Sequence, residues 1–387
     1  MNAENPSATP AVRYVVRPAE PSDVPSLMAM YDHSRRIMRA HGNTVQWVGG
    51  YPSSSLVEAD VAAGRCYVVA TPQGEPAGVF VLAEGDDPTY QTIDGAGWEQ
   101  ADRPYSTLHR LACAPGRRGV AEACLQWCDG AAATLRADTH ADNAIMRRIL
   151  ERFGFQHRGT IFVADGTPRR AYQRLHPSVV CRRLVEHVER QVLPRYDAFD
   201  AAHRRSHALQ VIDDSLTLAR RYAVDLNEAY AAAAYHDVGL SVGRERHHLA
   251  SGAAVRADAA LLRWFSPAQV ETIAQAAEDH RASAGARPRS LLGCIVAEAD
   301  RHIVPHDIVR RTVQYGLAHE PSLDREGHWR RTLSHLEEKY GPQGYLQLLL
   351  PDSPSAAPLA ELRGLIADRP RLRILFDTLF DDLRPQS

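Results

Sequence analysis

Every strand-like run in this 387-residue chain lies before Leu175, and every stretch after Pro177 repeats its apolar residues at helical spacing. No other feature constrains the fold as much, because a side-chain period of two builds sheets and a period of 3.6 builds helices. In the first half, Arg13–Arg17 (RYVVR) and Cys66–Thr71 (CYVVAT) carry the β-branched and aromatic residues that suit a pleated surface. A Pro-Gln-Gly-Glu-Pro turn then leads into Gly78–Glu84 (GVFVLAE), the expected hairpin partner. Tyr105–Cys113, Thr134–Asp138, Phe155–Val163 and Arg169–Leu175 are the remaining strand candidates, the last two flanking an Ala-Asp-Gly-Thr-Pro turn. Helical spacing intervenes at Pro21–Ala40, Val120–Ala133 and Asn143–Phe153. After Pro177, helices are expected at Val179–Leu193, Ala201–Tyr222, Asn227–Tyr235, Leu249–Trp264, Pro267–Ala282 and Leu291–Ile303. Asp225 and Ser266 stand in cap positions there, and Pro267 at a first helical position. The expectation is two domains: mixed α/β over 13–176 and an all-α bundle over 177–310. A disordered leader at 1–12 precedes them and a helical extension at 311–387 follows.

Composition narrows the function classes. Residues 1–175 carry 18 Arg/Lys against 19 Asp/Glu, and the rest is equally balanced, so no arm has the positive excess that phosphate-backbone binding needs. Nucleic acid is therefore not an expected partner. No apolar run approaches the ~18–20 residues of a membrane span, and the N-terminus lacks the basic start and apolar core of a signal peptide. The six cysteines are scattered in apolar contexts, with Cys124 and Cys128 one helical turn apart and no second pair, so reduced thiols in a cytoplasmic protein are expected. Histidine is the informative residue: 13 of 18 lie after residue 175, which is where metal or acid–base chemistry should be sought.

The sequence His109–Cys128, HRLACAPGRRGVAEACLQWC, runs from an apolar strand through a Gly116-Arg117-Arg118-Gly119 loop into a helix. Such a loop presents backbone N–H groups at a helix N-terminus, where the helix dipole favours a pyrophosphate. Further on, Arg136–Phe155 (RADTHADNAIMRRILERFGF) reads as a strand, an Asp/Asn-rich cap, a helix and a Gly-Phe exit. Together the two segments resemble the GNAT family of acyl-CoA-dependent N-acyltransferases, over roughly residues 13–175. Gly116–Ala121 stands at the family's pyrophosphate loop, with Gly116 where many members have Gln or Arg. Asn143, Ile149 and Gly154-Phe155 match the segment that closes over the cofactor. The resemblance implies that acetyl-CoA is held by Arg117, Arg118, Gly119, Val120 and Ala121 at the pyrophosphate. It implies Leu111, Ala112 and Cys113 along the pantetheine arm, and Asn143 near its end. The tyrosine that many members use as general acid is replaced by Leu150. His109 and His140 are the expected acid–base groups, with Cys113, Glu84 and Tyr90 as further candidates near the mouth. The amine acceptor would lie against Met38–Tyr51 and Asp86–Trp98, whose Trp47, Tyr51, Tyr90 and Trp98 either line the pocket or belong to the core.

In the second half, His207 lies in a helix (SHALQVI) and His236-Asp237 (YHDVG) ends an alanine-rich one. His247-His248 (RERHHLASG), His280 (EDHRAS) and Asp300 (VAEADRH) follow. Imidazoles and carboxylates on helices facing one core suit a hard to borderline divalent ion: Mn, Mg, Fe, Co or Zn. The ordered set resembles the HD superfamily of metal-dependent phosphohydrolases over about 195–305. It implies His207, His236, Asp237 and Asp300 as ligands of a first metal, and His280 with one of His247 or His248 at a second metal or at the phosphate. Asp237 and His280 are also the expected catalytic groups. Either member of the His247-His248 pair fits the spacing. His306-Asp307 lacks a preceding helix to present it, and His187, His203 and His302 read as ordinary polar groups.

The resulting expectation is a bifunctional enzyme acting on a small amine and a phosphoester, with acetyl-CoA and one or two divalent ions as cofactors. Two alternatives stand beside it: a hydrolase whose first half only senses acyl-CoA, and a binding protein with a structural metal. Oligomeric state is not legible in the sequence.

Overall fold

The computed structural model describes residues 14–175, 179–199, 204–281 and 287–384; the expected leader, the tripeptide His176–Ser178 and His203 lie outside the described residues. The chain divides into two compact units. One runs to Val185 and includes Leu262–Ser266; the other comprises Glu186–Leu261 and the chain from Pro267 onward.

The first unit is mixed α/β. Its strands are β1 (Val15–Pro18), β2 (Cys66–Ala70), β3 (Pro76–Glu84), β4 (Asp94–Gly95), β5 (Ser106–Cys113), β6 (Leu135–Thr139), β7 (Gln156–Phe162) and β8 (Pro168–Arg174). Its helices are α1 (Val24–Ala40), α2 (Ser54–Ala62), α3 (Val120–Asp129) and α4 (Ala144–Arg152). The sheet runs β1-β2-β3-β5-β6-β8-β7-β4. Alternation along β2 and β3 fills both faces. Val68, Val79 and Val81 pack with Leu27, Tyr31 and Val57 of α1 and α2, while Val69, Phe80 and Leu82 pack with Cys124, Leu125 and Leu150 of α3 and α4. Helix α2 was absent from the sequence expectation. Its Ser-Ser-Ser start hides a working N-cap, in which the Ser53 hydroxyl accepts from the Leu56 N–H at 3.2 Å.

Three details of this sheet shape a cavity. First, β5 and β6 are its parallel pair, and their pairing covers only Ser106–Leu108 against Leu135–Ala137 before the strands part. Second, a bulge sits in β5, where Val79 pairs Ala112 and Val81 pairs His109; Arg110 takes φ 52° within it. Third, a Cβ on Gly78 would stand 2.2 Å from Val120 Cγ1, so only glycine lets the N-terminus of α3 come this close to β3.

The second unit is all-α: α5 (Arg182–His187, at the boundary), α6 (Arg205–Arg221), α7 (Leu226–Tyr235), α8 (His247–Ala257), α9 (Pro267–Asp279), α10 (Leu291–Ala299), α11 (Pro305–His319), α12 (Arg325–Tyr340), α13 (Ala356–Ala367) and α14 (Arg369–Leu383). The expected helix at Val179–Leu193 is shorter, giving way to a π turn at Val188–Val192 and a 3-10 turn at Leu193–Ala198. The one expected at Leu249–Trp264 ends at Ala257, with a 3-10 turn at Ala259–Arg263. Helix α7 is buried all round, and its Ala229 and Ala231–Ala234 side chains let α6, α9 and α10 approach it. Helices α11–α14 close their own core around Leu336, Leu362, Leu372 and Phe376.

Candidate functional site

Helix α7 ends by a substitution of partners. The His236 Nδ1 donates to the Ala233 carbonyl at 2.6 Å, which is the acceptor that a continuing helix would give to the Asp237 N–H. That N–H turns instead to the Tyr196 hydroxyl at 3.2 Å, and the same hydroxyl donates to the Ala234 carbonyl at 3.0 Å. Asp237 leaves the helix at φ −115°, so His236 and Asp237, though adjacent, both reach one point. Two residues on, a Cβ at Gly239 would meet the His247 carbonyl at 2.1 Å and the Ser251 N at 2.6 Å. The absence of that Cβ lets the start of α8 close on the end of α7.

Two of the other histidines use the same local device. His280 Nδ1 donates to the Ala277 carbonyl at 2.6 Å, and His247 Nδ1 to the Arg244 carbonyl at 2.7 Å. A carbonyl can only accept, so the ring proton of each neutral imidazole sits on Nδ1 and the Nε2 lone pair faces inward. The ring nitrogens converge. His207 Nε2 lies 3.2 Å from His236 Nε2, and His247 Nε2 lies 3.2 Å from His280 Nε2.

Asp237 stands between the two pairs. Its Oδ2 is 3.4 Å from His236 Nε2 and 3.8 Å from His207 Nε2, while its Oδ1 is 3.3 Å from both His247 and His280 Nε2. Asp300, at the end of α10, adds Oδ1 at 3.1 Å from His207 and 3.9 Å from His236. Ring nitrogens and carboxylate oxygens at such distances need a proton or a metal ion between them. Two ligands each ~2.0–2.1 Å from one metal stand about 2.9–3.4 Å apart at octahedral to tetrahedral angles, so the residues fit a metal. The donors form two groups sharing Asp237: His207, His236 and Asp237, joined by Asp300, and Asp237, His247 and His280. The carboxylates favour positive charge at this point. Burial disfavours the charged form of His236, yet Asp237 and Asp300 lift it to about 9. Burial likewise opposes ionisation of Asp300, but the His207 bond and neighbouring histidines hold it at about 2.

Of the sequence-derived metal residues, six converge and one does not. His248 packs beside His247 with ring centroids 5.7 Å apart, and its Nδ1 is buried without a hydrogen-bond partner. Consecutive residues of one helix point about 100° apart, which sends His248 off the site. His306 and Asp307 sit exposed in the first turn of α11, and His187 pairs with Asp258 at 2.8 Å. Tyr196 was not singled out by the sequence, where it is one tyrosine among 14.

The first unit holds a cavity of about 1030 Å³ where β5 and β6 part. Among the sequence-derived residues His109, Leu111, Ala112, Cys113, Arg117, Ala121 and Asn143 line it. His140 does not; its Nδ1 is turned to the Asp142 N–H at 3.2 Å. Arg118, Gly119 and Val120 do not line it either: the Arg118 carbonyl accepts from the Tyr14 hydroxyl at 2.9 Å, and Val120 is buried against Gly78. Gly119 caps α3 at φ 77°, and the first helical bond, Ala123 N–H to the Gly119 carbonyl, leaves the N–H groups of Val120, Ala121 and Glu122 ahead of it. Asn143 is itself a cap, its Oδ1 accepting from the Met146 N–H at 3.1 Å.

At the far end, His109 Nε2 meets Asp87 Oδ2 at 3.1 Å, and the buried Tyr90 hydroxyl donates to Asp138 Oδ1 at 2.6 Å. The His109 bond, with Thr89 assisting against burial, holds Asp87 down to about 2. Burial pushes the Tyr90 phenol well above its usual range. Asp87 and Asp138 were missed in the sequence because a carboxylate in a polar turn or at a strand end carries no spacing signal.

Residues 204–303 match the family model of the HD domain. Solved GNAT-family acetyltransferases align with the N-terminal region. One from Streptococcus agalactiae 2603 is 28% identical, over 42% of this chain and 95% of its own, with a TM-score of 0.39. One from Listeria monocytogenes 4b F2365 is 18% identical, over 44% and 99%, with a TM-score of 0.33. A predicted HD superfamily hydrolase from an uncultured Thermotogales bacterium is 25% identical, over 31% of this chain and 66% of its own, with a TM-score of 0.26. No curated protein matches the chain. No helix among the described residues is long and apolar enough to cross a membrane.

Proposed function

We propose that the second unit is a divalent-metal-dependent phosphoester hydrolase and the first an acyl-CoA-dependent N-acyltransferase. The observation that carries the hydrolase reading is Asp237, which offers one carboxylate oxygen to each of two histidine pairs. His207, His236, Asp237 and Asp300 would hold one ion, and Asp237, His247 and His280 a second. Bound there, such ions supply a water of lowered pKa and neutralise phosphoryl oxygens during in-line attack. The protein's own contribution is orientation. The carbonyls of Ala233, Arg244 and Ala277 fix three imidazoles in one tautomer, and Tyr196 fixes the backbone of Asp237.

Acyl transfer is supported by the parting of β5 from β6. Beyond Leu108 the side of β5 that faced β6 is left without strand pairing, so the backbone at Leu111–Cys113 is open to the amides of a pantetheine arm. The start of α3 presents N–H groups to its pyrophosphate. With Nε2 turned to Asp87, His109 has Nδ1 available to take the amine's proton. Leu150 lines the same cavity, so no phenol protonates the leaving thiolate from that position.

The test is phosphate release from a panel of nucleotides and phosphomonoesters. Metal-stripped protein is refilled with Mn²⁺, Mg²⁺, Co²⁺, Fe²⁺ or Zn²⁺, beside Asp237→Ala. Metal-dependent release abolished by the substitution is expected; absence of release with every metal contradicts the hydrolase reading. For the first unit, acetyl-CoA bound but never consumed with any amine would leave it a sensor.

A further inference from the structure

The end of the cavity beyond His109 has two walls of opposite charge. On one wall stand Asp87, beside His109 at 3.1 Å, and Asp138, which accepts from the un-ionised Tyr90 phenol at 2.6 Å. On the other, Arg65 and Arg110 share a single fully buried carboxylate: Arg65 Nε meets Asp60 Oδ1 at 2.7 Å and Arg110 Nη2 meets Asp60 Oδ2 at 2.7 Å. Two guanidinium groups on one carboxylate leave that wall one positive charge in excess. Arg110 also donates to the Tyr51 hydroxyl at 3.0 Å, which frees the Tyr51 proton for another acceptor. Arg65, Tyr51, Arg110, His109, Asp87 and Asp138 all line the cavity. The bulge at Arg110 joins the walls: consecutive residues of a regular strand point to opposite faces of the sheet, whereas His109 and Arg110 here both line the cavity.

A plain amine would satisfy the acidic wall and leave the arginines unanswered, and a polyamine would oppose them. From this arrangement, and resting on the acyltransfer reading above, we propose that the acyl acceptor is a small zwitterion: a primary amine whose skeleton also carries an acid group. The amine faces His109, Asp87 and Asp138, and the acid group faces Arg65, Arg110 and Tyr51. In the transfer, the neutral amine's lone pair forms the C–N bond as the thioester C–S bond breaks. The amine's proton passes to His109 Nδ1, the departing CoA thiolate takes a proton from solvent water to leave as the thiol, and His109 returns its proton to solvent. The acid group takes no part in bond making. It positions the nitrogen, so removing it should act mainly on KM and kcat/KM.

The experiment uses the full chain with acetyl-CoA and follows thiol release. Probes are the L-amino acids, their carboxamides as charge-neutralised controls, aminoalkylphosphonates and polyamines, with acetyl-CoA binding measured separately by calorimetry. At least one zwitterion should be acetylated about tenfold or more better in kcat/KM than its amide, as a charge-assisted contact implies. The amino acids and the phosphonates tell apart the two acid groups that meet this chemistry. Arg65→Gln, which leaves Asp60 paired with Arg110, should raise KM for the zwitterion about tenfold while KM for acetyl-CoA stays within about twofold. Tyr51→Phe should act in the same direction, guarding against a folding defect in the arginine variant. Equal or better turnover of amides or polyamines overturns the proposal. So does a chain that binds acetyl-CoA and acetylates no zwitterion. A chain that does not bind acetyl-CoA overturns the acyltransfer reading itself.

Discussion

The Tyr196 hydroxyl accepts the Asp237 N–H at 3.2 Å at the point where α7 stops, and donates to the Ala234 carbonyl at 3.0 Å. Tyr196→Phe deletes both bonds and nothing else, leaving a buried N–H and carbonyl without partners. The second unit should lose about 1–3 kcal/mol of stability. Metal affinity should fall about tenfold, as for other groups that orient a ligand from behind. Urea unfolding and metal titration check the two effects separately. Unchanged metal affinity would show that Tyr196 serves packing alone.

His247 and His248 are adjacent, and only His247 reaches the cluster. His247→Ala should therefore abolish the second step of a Co²⁺ titration of metal-stripped protein, while His248→Ala keeps both steps. The reverse pattern would contradict the placement of α8.

Gly239 is where α7 and α8 meet most closely. Gly239→Ala sets a methyl 2.1 Å from the His247 carbonyl. Backbone must shift, at a cost of about 1–3 kcal/mol. His247 should move from Asp237, so the second Co²⁺ step should weaken more than the first; equal weakening of both would contradict this account.

The first unit should show an acid dependence of its own. Asp87 is held down to about 2, foremost by its bond to His109, against an unfolded value of ~3.9. A carboxyl depressed on folding contributes stability that is complete above about pH 4 and disappears as pH falls toward 2. Asp87→Asn should thus be less stable than wild type at pH 7 and approach it near pH 2. Tryptophan-monitored urea midpoints at both pH values read this directly. A difference independent of pH would contradict it.

The residues that converge in the second unit were legible because most are chemically unusual where they stand. His236-Asp237 closes an alanine-rich helix, Asp300 follows a helix of small and apolar residues, and His280 stands directly after the last residue of α9. The choice between His247 and His248 was not legible, because spacing to Ser251 does not fix the rotation of α8. Tyr196 and Asp87 were invisible for another reason: each acts through tertiary contacts across 41 and 22 residues that leave no local pattern. The main strands were read to within a few residues from their β-branched runs. Helix α2, with only Val57, Asp60 and Val61 buried, offered too weak an apolar stripe.

Asp237 would serve both ions proposed for the second unit. The most direct test is anomalous scattering from crystals of the full chain soaked in Mn²⁺. The account predicts two peaks flanking Asp237, one against His207, His236 and Asp300, the other against His247 and His280. A single peak, or none at this cluster, would contradict it.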